Sequence, residues 1–222
     1  MSFFMPVRRR RKRRRCRIDV VLCICMQPLT EPQQRYLLFL ARRAVEYSFQ
    51  KASLLQIAPK NVPYPELQKE QGCFVSLHTT AGQLRGCVGC IFPKEPLYLA
   101  VIHNALAAAF EDSRFPMLRP VELEKVIFEV SVLTTPQPLV YAGQDQLLSY
   151  LSKKHLGIVL RLGDRLATFL PQVWEELLEP VEFLSHLSKK AGLDSGAWRL
   201  TDVTMLEYEA QVFCESAPGY FP

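Results

Sequence analysis

Apolar positions along the chain follow two rhythms, and the switches between them lay out the elements. Tyr36, Leu37, Leu40, Ala41, Ala44, Val45 and Ser48 share one face at helical spacing, with Arg42, Arg43 and Glu46 opposite. Thr30 with Gln33 three residues later reads as a capping box, so this helix opens near Glu31 and runs to about Lys51. A proline-punctuated loop, 59–65, follows. The rhythm then shortens. Residues 73–78 read as a strand, 79–82 as a turn and 84–89 as the returning strand. An alanine-rich helix is predicted over about 96–110, since Ala100, Ala105, Ala107, Ala108 and Ala109 permit close packing on a sheet. Val126, Phe128, Val130 and Val132 alternate with period two and predict a strand over 126–133.

The second half repeats the mixture. A helix is predicted near 145–154, and a hairpin from 158–161 through Gly163-Asp164 to 166–170. Helices over 172–178 and 181–191 follow, the latter closed by Gly192, and one last strand spans about 205–213. Hairpins interleaved with helices, without regular strand-helix-strand crossovers, predict an α+β fold with antiparallel sheets.

Composition changes this picture mainly at the N-terminus. The 222 residues are 49 % hydrophobic and carry a net charge of +5. Residues 1–25 alone hold nine Lys/Arg against Asp19, while the rest holds 18 Lys/Arg against 21 Asp/Glu. The body is therefore mildly acidic, which argues against nucleic-acid binding by residues 26–222. The basic run has three readings: a grip on phosphate, a membrane surface or a targeting receptor; a signal-peptide n-region; or an over-extended start whose true beginning is Met26. The apolar stretch Ile18–Met26 is short, contains Asp19 and lacks a small-residue cleavage site, so the third reading is favoured. Seven cysteines (16, 23, 25, 73, 87, 90 and 214) make no disulfide framework and point to a cytoplasmic setting. No apolar run approaches the ~20 residues of a membrane span.

Candidate chemistry concentrates in Leu84-Arg85-Gly86-Cys87-Val88-Gly89. A cysteine between glycines is poorly covered, and an arginine two residues earlier projects to the same side of an extended strand, where a cation favours the thiolate. The same residues also suit a glycine-lined strand against which backbone packs, with Cys87 as a small buried hydrophobe. Cys87 and Cys90 form a CxxC, but no helix starts there and positions three apart on a strand face opposite sides. No second CxxC or paired-histidine spacing supplies a metal site, and the phosphate-loop, nucleophile-elbow and HExxH patterns are absent. The histidines are scattered; His78 lies on the strand beside the cysteine hairpin. A second dense cluster, Glu111-Asp112-Ser113-Arg114-Phe115-Pro116, ends the alanine-rich helix. It fits a substrate-positioning corner or, as the residues alone favour, a salt-bridged structural one.

These residues resemble a known family. Leu84–Gly89 is similar to the Leu-Arg-Gly-Cys-Ile-Gly motif of the AMMECR-type domain family, whose bacterial members are called AmmeMemoRadiSam system protein A. The likeness continues in order through Ala108-Ala109, Asp112–Pro116, Glu129–Leu133, Ala167–Trp174 and Lys190–Leu193. It covers residues 26–213, and the tail before Met26 has no counterpart. The resemblance implies two subdomains with antiparallel sheets, flanking helices and a cleft faced by the cysteine motif. It also implies association with a Memo-like protein and a radical S-adenosylmethionine protein, while the residues themselves predict no metal or cofactor. Carried over by position, Cys87 and Arg85 become the candidate catalytic pair, and Gly86, Gly89, Asp112 and Arg114 the candidate substrate-binding residues. Cys90 departs from the family pattern, in which a small hydroxyl residue is usual. Two functions follow: a substrate-modifying protein with Cys87 as nucleophile, or a non-catalytic partner module in which Cys87 is structural.

Overall fold

A computed structural model of the chain describes residues 28–220. The basic segment 1–25 and the Met26 start lie outside the described residues. Helix α1 spans Glu31–Lys51, and Gln33 Oε1 accepts the Thr30 backbone N–H at 2.8 Å, as the capping signal predicts. The hairpin strands are β1 (Cys73–Thr79) and β2 (Leu84–Cys90), followed by α2 (Leu97–Phe110) and β3 (Val126–Leu133). A two-residue β4 (Gln137–Pro138), α3 (Gln144–Leu151), β5 (Gly157–Leu162) and β6 (Arg165–Phe169) come next. Helix α4 (Pro180–Lys190), β7 (Thr204–Tyr208) and β8 (Ala210–Cys214) complete the order.

The strands form two antiparallel sheets, ordered β2-β1-β3-β8 and β4-β7-β5-β6, so the fold is α+β. In the first sheet Cys73, Val75 and Leu77 of β1 share a face with alternate residues of β3, namely Val126, Phe128, Val130 and Val132. That face is covered by α1 and α2 through Leu37, Ala41, Val45, Val101, Ile102 and Ala105, all fully buried. The second sheet packs Ile158 and Leu160 against α3 and α4, through Leu147, Leu151, Phe183, Leu184 and Leu187. Each such aliphatic side chain withdrawn from water contributes roughly 1.5–3 kcal/mol, so the two cores anchor two separate sheets. They meet where Ile91, Leu133, Val159 and Tyr208 cluster with Phe74, Leu170 and Leu206.

Three expectations need correction. The single last strand over 205–213 is two strands in different sheets: β7 pairs with β5, and β8 with β3. The switch falls at Glu209, whose N–H donates to Thr134 Oγ1 at 2.8 Å and whose carbonyl accepts the Thr134 N–H at 2.9 Å. No glycine or proline marks it, because a residue 75 positions away satisfies the freed backbone. The helix expected over 172–178 is a short 3₁₀ turn, Pro171–Glu175. It is held by Trp174, whose indole N–H donates to the Leu156 carbonyl at 2.8 Å and whose ring stacks on Phe183. The helix near 145–154 stops at Leu151. Among the described residues no helix is long and apolar enough to cross a membrane.

Candidate functional site

β2 is the outer strand of its sheet, so at Cys87 the backbone N–H and carbonyl not used by β1 face outward. Such an edge invites another strand unless something covers it. Here two side chains cover it. Asp112 Oδ2 accepts the Cys87 N–H at 2.8 Å, and Arg114 Nη2 donates to the Cys87 carbonyl at 3.1 Å. The two are themselves paired, Arg114 Nη2 to Asp112 Oδ2 at 2.7 Å and Nε to Oδ1 at 2.9 Å. The Arg114 bonds, with help from the Cys87 N–H and against the cost of burial, pull the Asp112 carboxyl down to about 2. The Asp112–Pro116 corner of the sequence is thus a clamp on the cysteine's backbone.

The two glycines set how closely neighbours approach. A Cβ on Gly86 would lie 2.1 Å from the Ala108 carbonyl oxygen, and one on Gly89 would lie 2.3 Å from Phe74 Cγ. The alanine face of α2 therefore lies directly on the strand, and the space beside both glycines is filled by protein. That contact also carries the end of α2, and with it Asp112, to the cysteine.

Arg85 points elsewhere. The β1–β2 register aligns Leu77 with Gly86 but His78 with Leu84, leaving Arg85 as the extra residue of a bulge. Its Nε donates to Glu122 Oε1 at 3.1 Å and its Nη2 to the Met117 carbonyl at 3.3 Å. The cation beside Cys87 is Arg114 instead, brought in from the loop after α2.

On the helix-free face of the sheet, Cys87, Ser76 and Glu129 stand in one cross-strand row. Ser76 Oγ–H donates to Cys87 Sγ at 3.2 Å. His78, two residues along β1, shares this face and brings Nε2 within 3.7 Å of Glu129 Oε1. Ser131 completes it, accepting from Gln172 Nε2 of the 3₁₀ turn at 3.1 Å. Burial raises the Cys87 thiol above its ordinary value; Ser76 and Arg114 oppose that rise, and Glu129 and Asp112 add to it. Burial thus favours the thiol over the thiolate at Cys87.

The second sheet contributes Lys190, the last residue of α4. Its Nζ donates to the Thr168 carbonyl at 2.9 Å and sits 5.0 Å from the Phe169 ring centre. Burial, then Arg114, lowers its ammonium below the ordinary lysine value, while Cys87 acts to raise it. Lys190 thus lies within electrostatic reach of both site residues. Sequence reasoning quoted Lys190 and Glu129 in motifs without assigning either a role, and passed over Ser76. The signal for Ser76 and Glu129 was their polar character on strands whose alternate residues are apolar.

Cys90 is on the other face, opposite Cys73, so the CxxC spacing does not make a pair with Cys87. Among the described residues no group of three or more His, Cys, Asp or Glu is placed to hold a metal ion. A groove of about 650 Å³ lined by Arg42, Glu46, Leu123 and Gly219 shares no lining residue with the Cys87 site.

A family model described as AMMECR1 matches residues 38–213, which include every residue of this site. The chain belongs to the AMMECR1 family. An AMMECR1-family protein of Thermofilum pendens is 38 % identical over 203 residues, covering 87 % of this chain and 94 % of its own. Protein MK0488 of Methanopyrus kandleri is 36 % identical over 195 residues, covering 86 % and 93 %. Among solved structures, the chain is similar to the uncharacterized protein PH0010 from Pyrococcus horikoshii, with a TM-score of 0.78 and 31 % identity. That likeness covers 84 % of this chain and 93 % of the neighbour. The solved neighbour shares the two-sheet architecture, and none of these relatives' names states a reaction.

Proposed function

We propose that this chain acts on a substrate at the Cys87 thiol, in a cleft between the two sheets of a cytoplasmic AMMECR1-family protein. The observation that carries this reading is one half-buried thiol whose sulfur accepts from Ser76 and whose backbone carbonyl accepts from Arg114, with Lys190 of α4 within electrostatic reach. Convergent polar groups with perturbed titration mark a site more than they mark a core. Burial moves the thiol up and the ammonium down. In the proposed step the thiol gives its proton to water and its sulfur bonds to an electrophilic carbon of the substrate, while the bond from that carbon to the leaving group breaks and the leaving group takes a proton from water. Arg114 and the Lys190 ammonium favour the thiolate. Asp112 and Arg114 are positioning residues, fixing the strand at Cys87; Gly86 and Gly89 set its packing, and Arg85 ties the strand to Glu122.

The test is reaction of the full chain with iodoacetamide and with 4-nitrophenyl acetate across pH, read at Cys87 by peptide mass spectrometry. Labelling of Cys87 ahead of the similarly exposed Cys90, reduced by Lys190→Met, supports the reading. Cys87 that stays unmodified until the protein unfolds overturns it.

One consideration favours the alternative, a partner module with a structural cysteine: burial works against the Cys87 thiolate. On either reading the partners are a Memo-like protein and a radical S-adenosylmethionine protein, as the family resemblance implies. Capture of either by the full chain, retained in Cys87→Ala, favours the module.

A further inference from the structure

The CxxC of the sequence is broken by the sheet, and the sheet makes a different pair. β1 and β2 align Cys73 directly with Cys90. Facing residues of antiparallel strands point to the same side with Cα atoms about 4.5–5.5 Å apart. Disulfide-linked Cα atoms span about 4.4–6.8 Å, so the hairpin already holds these two residues at bridging distance. Both are free thiols. Their surroundings differ. Cys73 is fully buried beneath α2, where Asn104 Nδ2 donates to its sulfur at 3.3 Å. Cys90 is half-buried on the outer strand, its thiol donating to the Phe92 carbonyl at 2.7 Å. Burial, with smaller additions from Glu95 and Cys90, pushes the Cys73 thiol up to about 12. Cys90 is thus the reachable thiol and Cys73 the one that only Cys90 can reach.

We propose that Cys73 and Cys90 are a redox-active cross-strand pair, closed to a disulfide by small-molecule disulfides of the glutathione class. In the first step Cys90 thiolate attacks glutathione disulfide, forming a Cys90–glutathione mixed disulfide and releasing one glutathione thiolate. In the second, the Cys73 sulfur attacks the Cys90 sulfur, and the second glutathione leaves carrying the Cys73 proton. Two protein thiols are oxidised and one glutathione disulfide is reduced to two thiols, so atoms and electrons balance. The order is fixed by access, since an external disulfide cannot touch Cys73. Cys87 takes no part because its side chain is on the opposite face. The bridge closes the open end of the hairpin, three residues from Cys87, and so links cellular redox poise to the strand that carries the site.

The full chain, equilibrated in glutathione buffers from reducing to oxidising, is blocked with N-ethylmaleimide and digested with trypsin without reductant. Cleavage after Lys69, Arg85 and Lys94 puts Cys73 in peptide 70–85 and both Cys87 and Cys90 in peptide 86–94. The expected product joins the two peptides, reverses with reduced glutathione, persists in Cys87→Ser and disappears in Cys90→Ser. Fragment spectra of the wild-type product locate the bridge without relying on either variant. A bridge confined to peptide 86–94, a link that survives Cys90→Ser, a stable glutathione adduct on Cys90 that never passes to Cys73, or no oxidation in the most oxidising buffer would overturn the proposal.

Discussion

Replacing Gly86 by alanine adds one methyl group where strand and helix backbones meet. The new Cβ would lie 2.1 Å from the Ala108 carbonyl oxygen and 3.1 Å from its carbon, whereas ordinary contact begins at 3.4 Å. Either β2 or α2 must retreat by more than ~1 Å, since no flexible side chain is available to yield. Overpacking a well-filled core costs about 1–3 kcal/mol, and a clash of backbone with backbone belongs at the upper end. For a chain of this size each kcal/mol moves the melting midpoint by about 2–4 °C, so Gly86→Ala lowers it by roughly 6–12 °C. Gly82 is the control. It sits in the hairpin turn with φ +81° and nothing within 4 Å, so alanine there meets left-handed backbone strain and no clash. That strain costs about 1–2 kcal/mol, a drop of roughly 2–8 °C. Circular dichroism is the better probe, because both tryptophans lie in the second sheet's core and fluorescence would report the wrong half. The retreat of α2 also carries Asp112 away from the Cys87 N–H, so Gly86→Ala changes Cys87 alkylation while Gly82→Ala does not. Melting of Gly86→Ala no lower than that of Gly82→Ala would falsify the close approach on which the account of the motif rests.

The site's electrostatics give further expectations. Ser76→Ala removes a hydrogen bond that favours the Cys87 thiolate, so alkylation near pH 8 slows; Glu129→Gln removes a neighbouring negative charge, so it speeds up. Equal effects in one direction would refute this assignment, with peptide mass spectrometry as the readout. The Asp112 carboxyl, held at about 2 against an ordinary ~3.9, contributes stability that is present above pH ~4 and lost as pH falls toward 2. Asp112 is only 6 % exposed but its partner Arg114 is 58 % exposed, so solvent screening reduces the contribution to about 1–2 kcal/mol. Asp112→Asn should therefore lower the urea midpoint at pH 7 and match wild type near pH 2; a gap independent of pH would refute the linkage. Lys190→Met removes a cation near the thiol, so the alkylation profile shifts to higher pH; an unmoved profile would separate Lys190 from the site.

What could be read from the sequence was whatever depends on residues close together in the chain. The period-two run at Val126–Leu133 matches β3 residue for residue, and the Thr30–Gln33 signal marks the start of α1, because strand and cap are local physics. The passage of the chain between sheets at Glu209 was hidden, since its hydrogen bonds go to Thr134. The site divides the same way. Cys87 and the Asp112–Arg114 corner stood out as composition, but the identity of the cation beside the thiol did not. Alternation along β2 aims Arg85 at Cys87, and one extra residue in the strand cancels the alternation and hands Arg85 to Glu122. That bulge is set by the pairing of β1 with β2, which no local signal encodes. The same pairing decides the fate of Cys90: three positions from Cys87 in sequence, it stands across the hairpin from Cys73. Where chemistry depends on which residues face one another, spacing along a single strand misleads, and the cross-strand register is the quantity to determine first.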